Sequence, residues 1–264
     1  MDDRTYSFLV DVVCNCSFYY QDEHDHKVKG FFVDLLDEVC REAGKKCVVQ
    51  QQPYRQCYVS GTDEGVQPVG VGILSRQFDG CVVSKTSGIA NSMSFTDKFQ
   101  DIKGQSRFFV PVGNPWNFNP DDISGKTIGF INGWYSDPRC LLENKLKGTE
   151  TLKREQMRFF DHGQLWSNLQ NNVIDAAFVL LMPENGVDDK DAGMLGGTET
   201  GLEPIGDVIN CLDGLQVGAR KDSDMVDWFN GALRKLKQSG KFAKLCRKAQ
   251  IDHGARGPVI DCIF

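Results

Sequence analysis

The sequence predicts an α/β protein. Three observations carry that prediction: short apolar runs that read as buried strands, stretches with a 3.6-residue apolar period, and a regular alternation of the two along 264 residues. Hydrophobic residues make up 41% and charged residues 25%, a balance that excludes disorder and a fibrous repeat. The length allows one large domain or two modest ones.

Tyr6 to Val13 (YSFLVDVV) is β-rich and apolar and reads as a buried strand. A polar loop, Gln21 to Lys29, leads to Gly30, where a helix opens with Phe31, Phe32, Leu35, Leu36, Val39 and Cys40 on one face. Ala43-Gly44 stops that helix, since glycine accepts the left-handed conformation of a helix end. Lys46 to Gln50 is then a second strand, completing a parallel crossover unit. Asp79 to Ser84, Arg107 to Val112, Thr127 to Ile131 and Met157 to Phe160 read as further strands. Helices are expected from about Ser136 to Lys147, and around Leu165, Trp166 and Leu169. Ile174 to Val179 is a continuous apolar strand of the kind buried on both faces. Leu215 to Ala219 is the last strand expected. Asp222 or Ser223 can cap a long helix whose Met225, Val226, Phe229, Ala232, Leu233 and Leu236 share a face until Ser239-Gly240. The segments 60–65, 113–125 and 185–201 read as loops.

Charge and cysteine content narrow the function classes. Thirty Lys and Arg against 36 Asp and Glu leave a net charge of −6, with no basic block for nucleic acid or an anionic membrane. The longest uncharged apolar run, Ala176 to Met182, is far short of the roughly 20 residues a membrane helix needs. Ten cysteines are scattered through the chain without a CxxC pair, and the four histidines lack zinc-site spacing, so neither a metal nor a cofactor is expected. The even count reads as up to five disulfides in an extracellular or periplasmic protein; the alternative is ten buried thiols in a cytosolic one. Met1-Asp2-Asp3 opens no basic-then-apolar leader, as expected of a start codon placed on a mature secreted sequence. Cys14 and Cys16 are expected to pair with different partners.

Taken in order, several motifs resemble the amino-acid-binding solute receptors of the type II periplasmic binding fold, closest to those for lysine, arginine, ornithine or histidine. Gly30-Phe31-Phe32-Val33-Asp34-Leu35 is similar to that family's first-helix motif, and Phe95-Thr96-Asp97-Lys98 to the segment before its first hinge strand. Ser124-Gly125-Lys126-Thr127-Ile128-Gly129 resembles the start of the second lobe, and Ile174-Asp175-Ala176-Ala177-Phe178 the strand ending at the family's ligand-binding acid. Gly218 to Asp222, through Ser239 to Phe242, resembles the closing hinge strand and the C-terminal helices. Ionotropic glutamate receptors use the same domain interrupted by channel helices, but Phe99 to Gly129 carries no apolar insertion.

The resemblance implies a two-lobed fold with a hinge of two crossing strands, near 107–112 and 213–219. Lobe 1 would be residues 1–109 plus 215–264 and lobe 2 residues 110–214, closing on a small-molecule ligand. It also implies a Cys40–Cys47 disulfide, and Cys211 joined to Cys246 or Cys262. It leaves the protein partner, transporter or receptor, unassigned.

The family's polar clamps have diverged here. The stretch that should hold a carboxylate-binding arginine contains Ser84, Lys85, Thr86 and Ser87 and no arginine; Lys85 supplies a point charge without the bidentate fork. Counting from Asp175, the ammonium-binding aspartate falls on Leu180, and a threonine pair becomes Trp134-Tyr135 after Gly133. An unpartnered buried ion costs several kcal/mol, so these positions predict rejection of free α-amino acids. Phe18, Tyr19, Tyr54, Trp134 and Tyr135 instead suit a planar ligand or a quaternary ammonium, although each could equally be ordinary core. Asp161 and His162 add polar contacts.

His24-Asp25-His26 reads as a solvated turn, Asp188 to Asp191 as surface, and Cys81 as a disulfide or core residue. The expected function is therefore a secreted solute-binding protein for an aromatic or otherwise non-standard ligand. The alternative is an enzyme on the same scaffold, with Asp161, His162 or Asp11 as acid–base groups. A third reading is a scaffold that has lost its ligand.

Overall fold

In the computed structural model, which describes residues 4–12, 16–59, 69–84, 92–101, 105–134, 136–181, 201–211, 214–257 and 259–264, the first strand sets the pattern. In β1 (Thr5–Val10) five consecutive residues are buried, as in a strand covered on both faces. The chain forms two compact units, one of Met1–Cys57, Gln67–Ile102 and Asp213–Phe264, the other of Tyr58–Val66 and Lys103–Leu212.

In the first unit the expected polar loop is a hairpin of β2 (Tyr20–Gln21) and β3 (Val28–Lys29). Its turn is held by Asp22, whose carboxylate accepts from the His24 amide at 2.9 Å and from Lys29 Nζ at 2.9 Å. Helix α1 (Phe31–Ala43) buries the six residues that its sequence period selects. Gly30 precedes it at φ 127°, and a Cβ there would lie 2.5 Å from the Phe18 carbonyl oxygen, so no other residue fits. Gly44 ends the helix in the left-handed conformation. Strand β4 (Lys46–Gln51) pairs parallel with β1, Thr5 opposite Lys46. The Cys40–Cys47 disulfide joins helix to strand.

A 3-10 turn at Tyr54–Gln56 and a single helical turn, α2 (Val71–Leu74), precede β5 (Gly80–Ser84). Strand β5 pairs parallel with β1 on the side away from β4. The Cys57–Cys81 disulfide ties the turn to it. Short strands β6 (Met93–Phe95) and β7 (Gln100–Asp101) follow.

The second unit contains β8 (Gln105–Pro111), β9 (Ile128–Ile131), α3 (Ser136–Glu143), β10 (Met157–Phe160), α4 (His162–Gln170), β11 (Ala176–Leu181) and β12 (Leu202–Asn210). Its sheet order is β10-β9-β11-β8-β12. Consecutive residues alternate between two apolar layers. Phe108, Phe130 and Phe178 pack with Leu141 of α3, while Phe109, Ile131 and Val179 pack with Leu165 and Leu169 of α4. Each such fully buried side chain contributes about 1.5–3 kcal/mol relative to exposure.

Three expectations are corrected here. Helix α3 stops at Glu143 rather than Lys147, because Lys145 takes φ 52° and the Asn144 amide side chain donates to the Cys140 carbonyl at 2.9 Å. The strand expected from Ile174 begins at Ala176; Asp175 instead accepts from the Thr127 amide at 2.8 Å and from Lys126 Nζ at 3.0 Å. Cys211 pairs with Cys140, within the second unit, and Cys246 with Cys262. The expected Cys211 link to the C-terminal segment is therefore absent. Cys16 is disulfide-bonded as well, whereas Cys14 lies outside the described residues.

The chain returns to the first unit with β13 (Leu215–Arg220), α5 (Met225–Gln238), α6 (Lys241–His253) and β14 (Asp261–Cys262). That sheet runs β14-β7-β13-β5-β1-β4, with β6 beside β13. Asp224, not Asp222 or Ser223, is the residue preceding α5, although the Ser223 hydroxyl accepts from the Met225 amide at 3.2 Å. On the buried face of α5, Asn230 replaces the expected Val226, and its side-chain oxygen accepts from the Asp97 amide at 2.7 Å. Among the described residues no helix is long and apolar enough to cross a membrane.

Candidate functional site

Ligands of α/β sheets gather at the carboxyl ends of the parallel strands, so each unit is taken from that edge. In the first unit Asp11 directly follows β1 and is 4% exposed. The Gln51 side chain, at the end of β4, donates to the Asp11 carbonyl at 3.1 Å. Tyr19 is buried beside them. Burial, and after it the Asp11 charge, push its phenol far above the ordinary value of 10, with a hydrogen bond from the Asp11 backbone offsetting part of the rise. Tyr19 is therefore a neutral donor beside a buried carboxylate. Tyr54 is half-buried, and its hydroxyl donates to the Val82 carbonyl of β5 at 2.7 Å, which fixes the ring at this edge. Phe18 is wholly buried, and its backbone carbonyl accepts from the Phe32 amide at 2.9 Å, anchoring the start of α1.

Ser84 ends β5. Lys85, Thr86, Ser87 and Tyr135 lie outside the described residues.

In the second unit the corresponding edge is formed by the ends of β9, β10 and β11. The Asn132 amide donates to the Phe160 carbonyl at 2.8 Å, and the Trp134 amide to the Ile131 carbonyl at 3.1 Å. Gly133 takes φ 97° between them. The Trp134 indole is partly buried against the layer of Phe109, Ile131 and Leu165. Asp161 precedes α4 and caps it with its carbonyl, which accepts from the Gln164 and Leu165 amides; its carboxylate makes no capping bond.

His162 opens α4, and its Nε2 accepts from the Trp166 indole at 3.2 Å. Burial lowers its pKa below 6.5, and an accepting Nε2 places the ring proton on Nδ1. Leu180 of β11 stands opposite Ser106 of β8. Ser106 donates to Asp137 at 3.4 Å, both residues fully buried.

Sequence reasoning missed Asp137, Ser106 and Gln51. Only Asp137 left a trace, an acid in the first turn of a helix. Among the described residues no serine, threonine or cysteine is hydrogen-bonded to a histidine, and every cysteine is in a disulfide. The edge of the first unit thus offers tyrosine rings and a buried carboxylate, and the edge of the second an indole and an imidazole.

The mixed α/β architecture is that of the type II periplasmic binding proteins. The chain belongs to the bacterial extracellular solute-binding proteins, family 3, whose model matches residues 15–250. It is 24% identical over 226 residues to the lysine/arginine/ornithine-binding periplasmic protein of Escherichia coli (strain K12), covering 83% of this chain and 78% of that one. It is 25% identical over 235 residues to the arginine-binding periplasmic protein of Mannheimia haemolytica, covering 86% and 84%. The solved arginine-, lysine-, histidine-binding protein of Geobacillus stearothermophilus superposes with a TM-score of 0.60 at 22% identity, covering 95% of this chain and 96% of that one.

Proposed function

We propose that this solute-binding protein acts outside the cytoplasm and closes on a small aromatic or quaternary-ammonium ligand, not on a free α-amino acid. The named relatives bind arginine and lysine, so this reading separates the chain from them. Trp134 is the observation that carries it. A half-buried indole, packed against the apolar layer that contains Ile131 and Leu165, takes the position at which, by resemblance, a family member presents small hydroxyls to a charged ligand. Leu180 in place of an aspartate supports the same conclusion, since it offers an ammonium no charge to pair with. Tyr19 and Tyr54 supply further aromatic surface, and cation–π contacts of about 0.5–2 kcal/mol each reward a quaternary cation.

Titration of tryptophan fluorescence with arginine, lysine and choline tests this reading. Choline, or an aromatic cation, is expected to give a saturable change that is lost in Trp134→Ala. A saturable response to arginine or lysine with no response to choline would overturn it.

A further inference from the structure

Away from the strand edges, the first unit brings three metal-ligating side chains together. Asp34 stands in the first turn of α1, while Asp252 and His253 end α6. One oxygen of each carboxylate and one nitrogen of His253 lie within 4.8 Å of one another. We propose that Asp34, Asp252 and His253 bind a zinc-class divalent cation, with a water completing the shell.

One pair of the donors already has the spacing of two ligands on a single ion. His253 Nε2 is 3.2 Å from Asp34 Oδ2. An ion about 2.05 Å from both atoms would see them at roughly 100°, near the tetrahedral angle that zinc prefers. One imidazole and two carboxylates are ligands suited to that metal, and three protein ligands leave the fourth position open.

The imidazole is already oriented. Its Nδ1 lies 3.1 Å from the Tyr20 hydroxyl, and the Tyr20 ring packs against it edge to face at 5.7 Å. A partner on the second ring nitrogen is what fixes the tautomer and direction of metal-binding histidines. His253 is buried and Asp252 exposed, so the cluster can be reached from solvent on the Asp252 side.

Charge balance points the same way. Lys248 pairs with Asp252, and Arg256 sits over the Tyr20 ring at 4.0 Å. Next to Asp34 on α1, Asp37 has its carboxyl pushed up by burial first and by the Asp34 and Glu38 charges after it. The Asp252 carboxylate thus already holds one cation, Lys248, whose place a divalent ion would take.

The test is calorimetric titration of zinc chloride into the full chain after chelator treatment and desalting. One zinc per chain is expected, with affinity reduced at least about tenfold in Asp252→Ala. Asp252 is exposed in the last turn of α6, where a carboxylate opposes the helix dipole, so that variant keeps its fold. Lys248→Ala, which frees Asp252 of its competitor, is expected to tighten binding severalfold. The proposal is overturned by an absence of binding heat, by unchanged affinity in Asp252→Ala, or by loss of binding in His24→Asn/His26→Asn in its stead.

Discussion

The Trp166 indole donates to His162 Nε2 at 3.2 Å, one turn apart on α4, with the rings edge to face at 5.8 Å. This contact requires an imidazole without a proton on Nε2, and burial already holds the pKa of His162 below 6.5. The unfolded chain then binds more protons than the folded one once the pH drops below about 6.5, so stability is complete above that value and falls as the pH falls. Melting curves from pH 7.5 to 5 are expected to show this decline, and His162→Gln to flatten it. An unchanged slope in the variant would contradict the assignment.

Two glycines separate strain from collision. At Gly44 (φ 67°) nothing lies within 4 Å of the place a Cβ would take, so Gly44→Ala is expected to cost only the left-handed backbone penalty, about 1–2 kcal/mol. Gly30→Ala adds the collision with the Phe18 carbonyl and is expected to cost more, roughly 3 kcal/mol or above. Urea denaturation of the two variants gives the ranking directly.

The disulfides differ in the loops they close. Cys140 and Cys211 are 71 residues apart, Cys40 and Cys47 only 7. Loop-entropy arithmetic gives about 4 kcal/mol for the first and about 2.5 kcal/mol for the second. Replacing each pair with alanine and measuring unfolding by denaturant is expected to reproduce that order; equal losses would contradict it.

Much of the fold was legible because local patterns decide it. The apolar period of α1 selects its six buried residues, and Gly44 marks its end. Strand β12 was missed because Pro204 and Gly206 interrupt its sequence, and the register with β8 shifts between Ile205 and Ile209. The Cys140–Cys211 link was missed because nothing in a sequence reports which distant thiols meet. The candidate site divides in the same way. Tyr19 and Tyr54 announce themselves by residue type, whereas Asp137 of α3 gains its interest from burial against Ser106 of β8. The approach of His253 to Asp34, 219 residues away, depends wholly on the packing of α6 against α1.

The Tyr54 hydroxyl donates to the Val82 carbonyl at 2.7 Å. Tyr54→Phe is expected to cost about 1 kcal/mol of stability and to leave affinity for a quaternary ligand nearly intact, since the aromatic face remains. Tyr54→Ala removes that face and is expected to weaken binding by about 0.5–2 kcal/mol. Calorimetric titration of both variants separates the positioning bond from the contact itself.

Thermal unfolding against a ligand panel decides whether the ligand has diverged from that of the relatives. The panel holds the common amino acids, betaines, aromatic acids and heterocycles. A ligand at 100 times its Kd adds about 2.7 kcal/mol, a visible shift of the midpoint. A flat response to every free amino acid is expected, with a shift for an aromatic or quaternary compound. A shift with lysine, arginine or glutamate would contradict it and return the protein to the ligand class of its relatives.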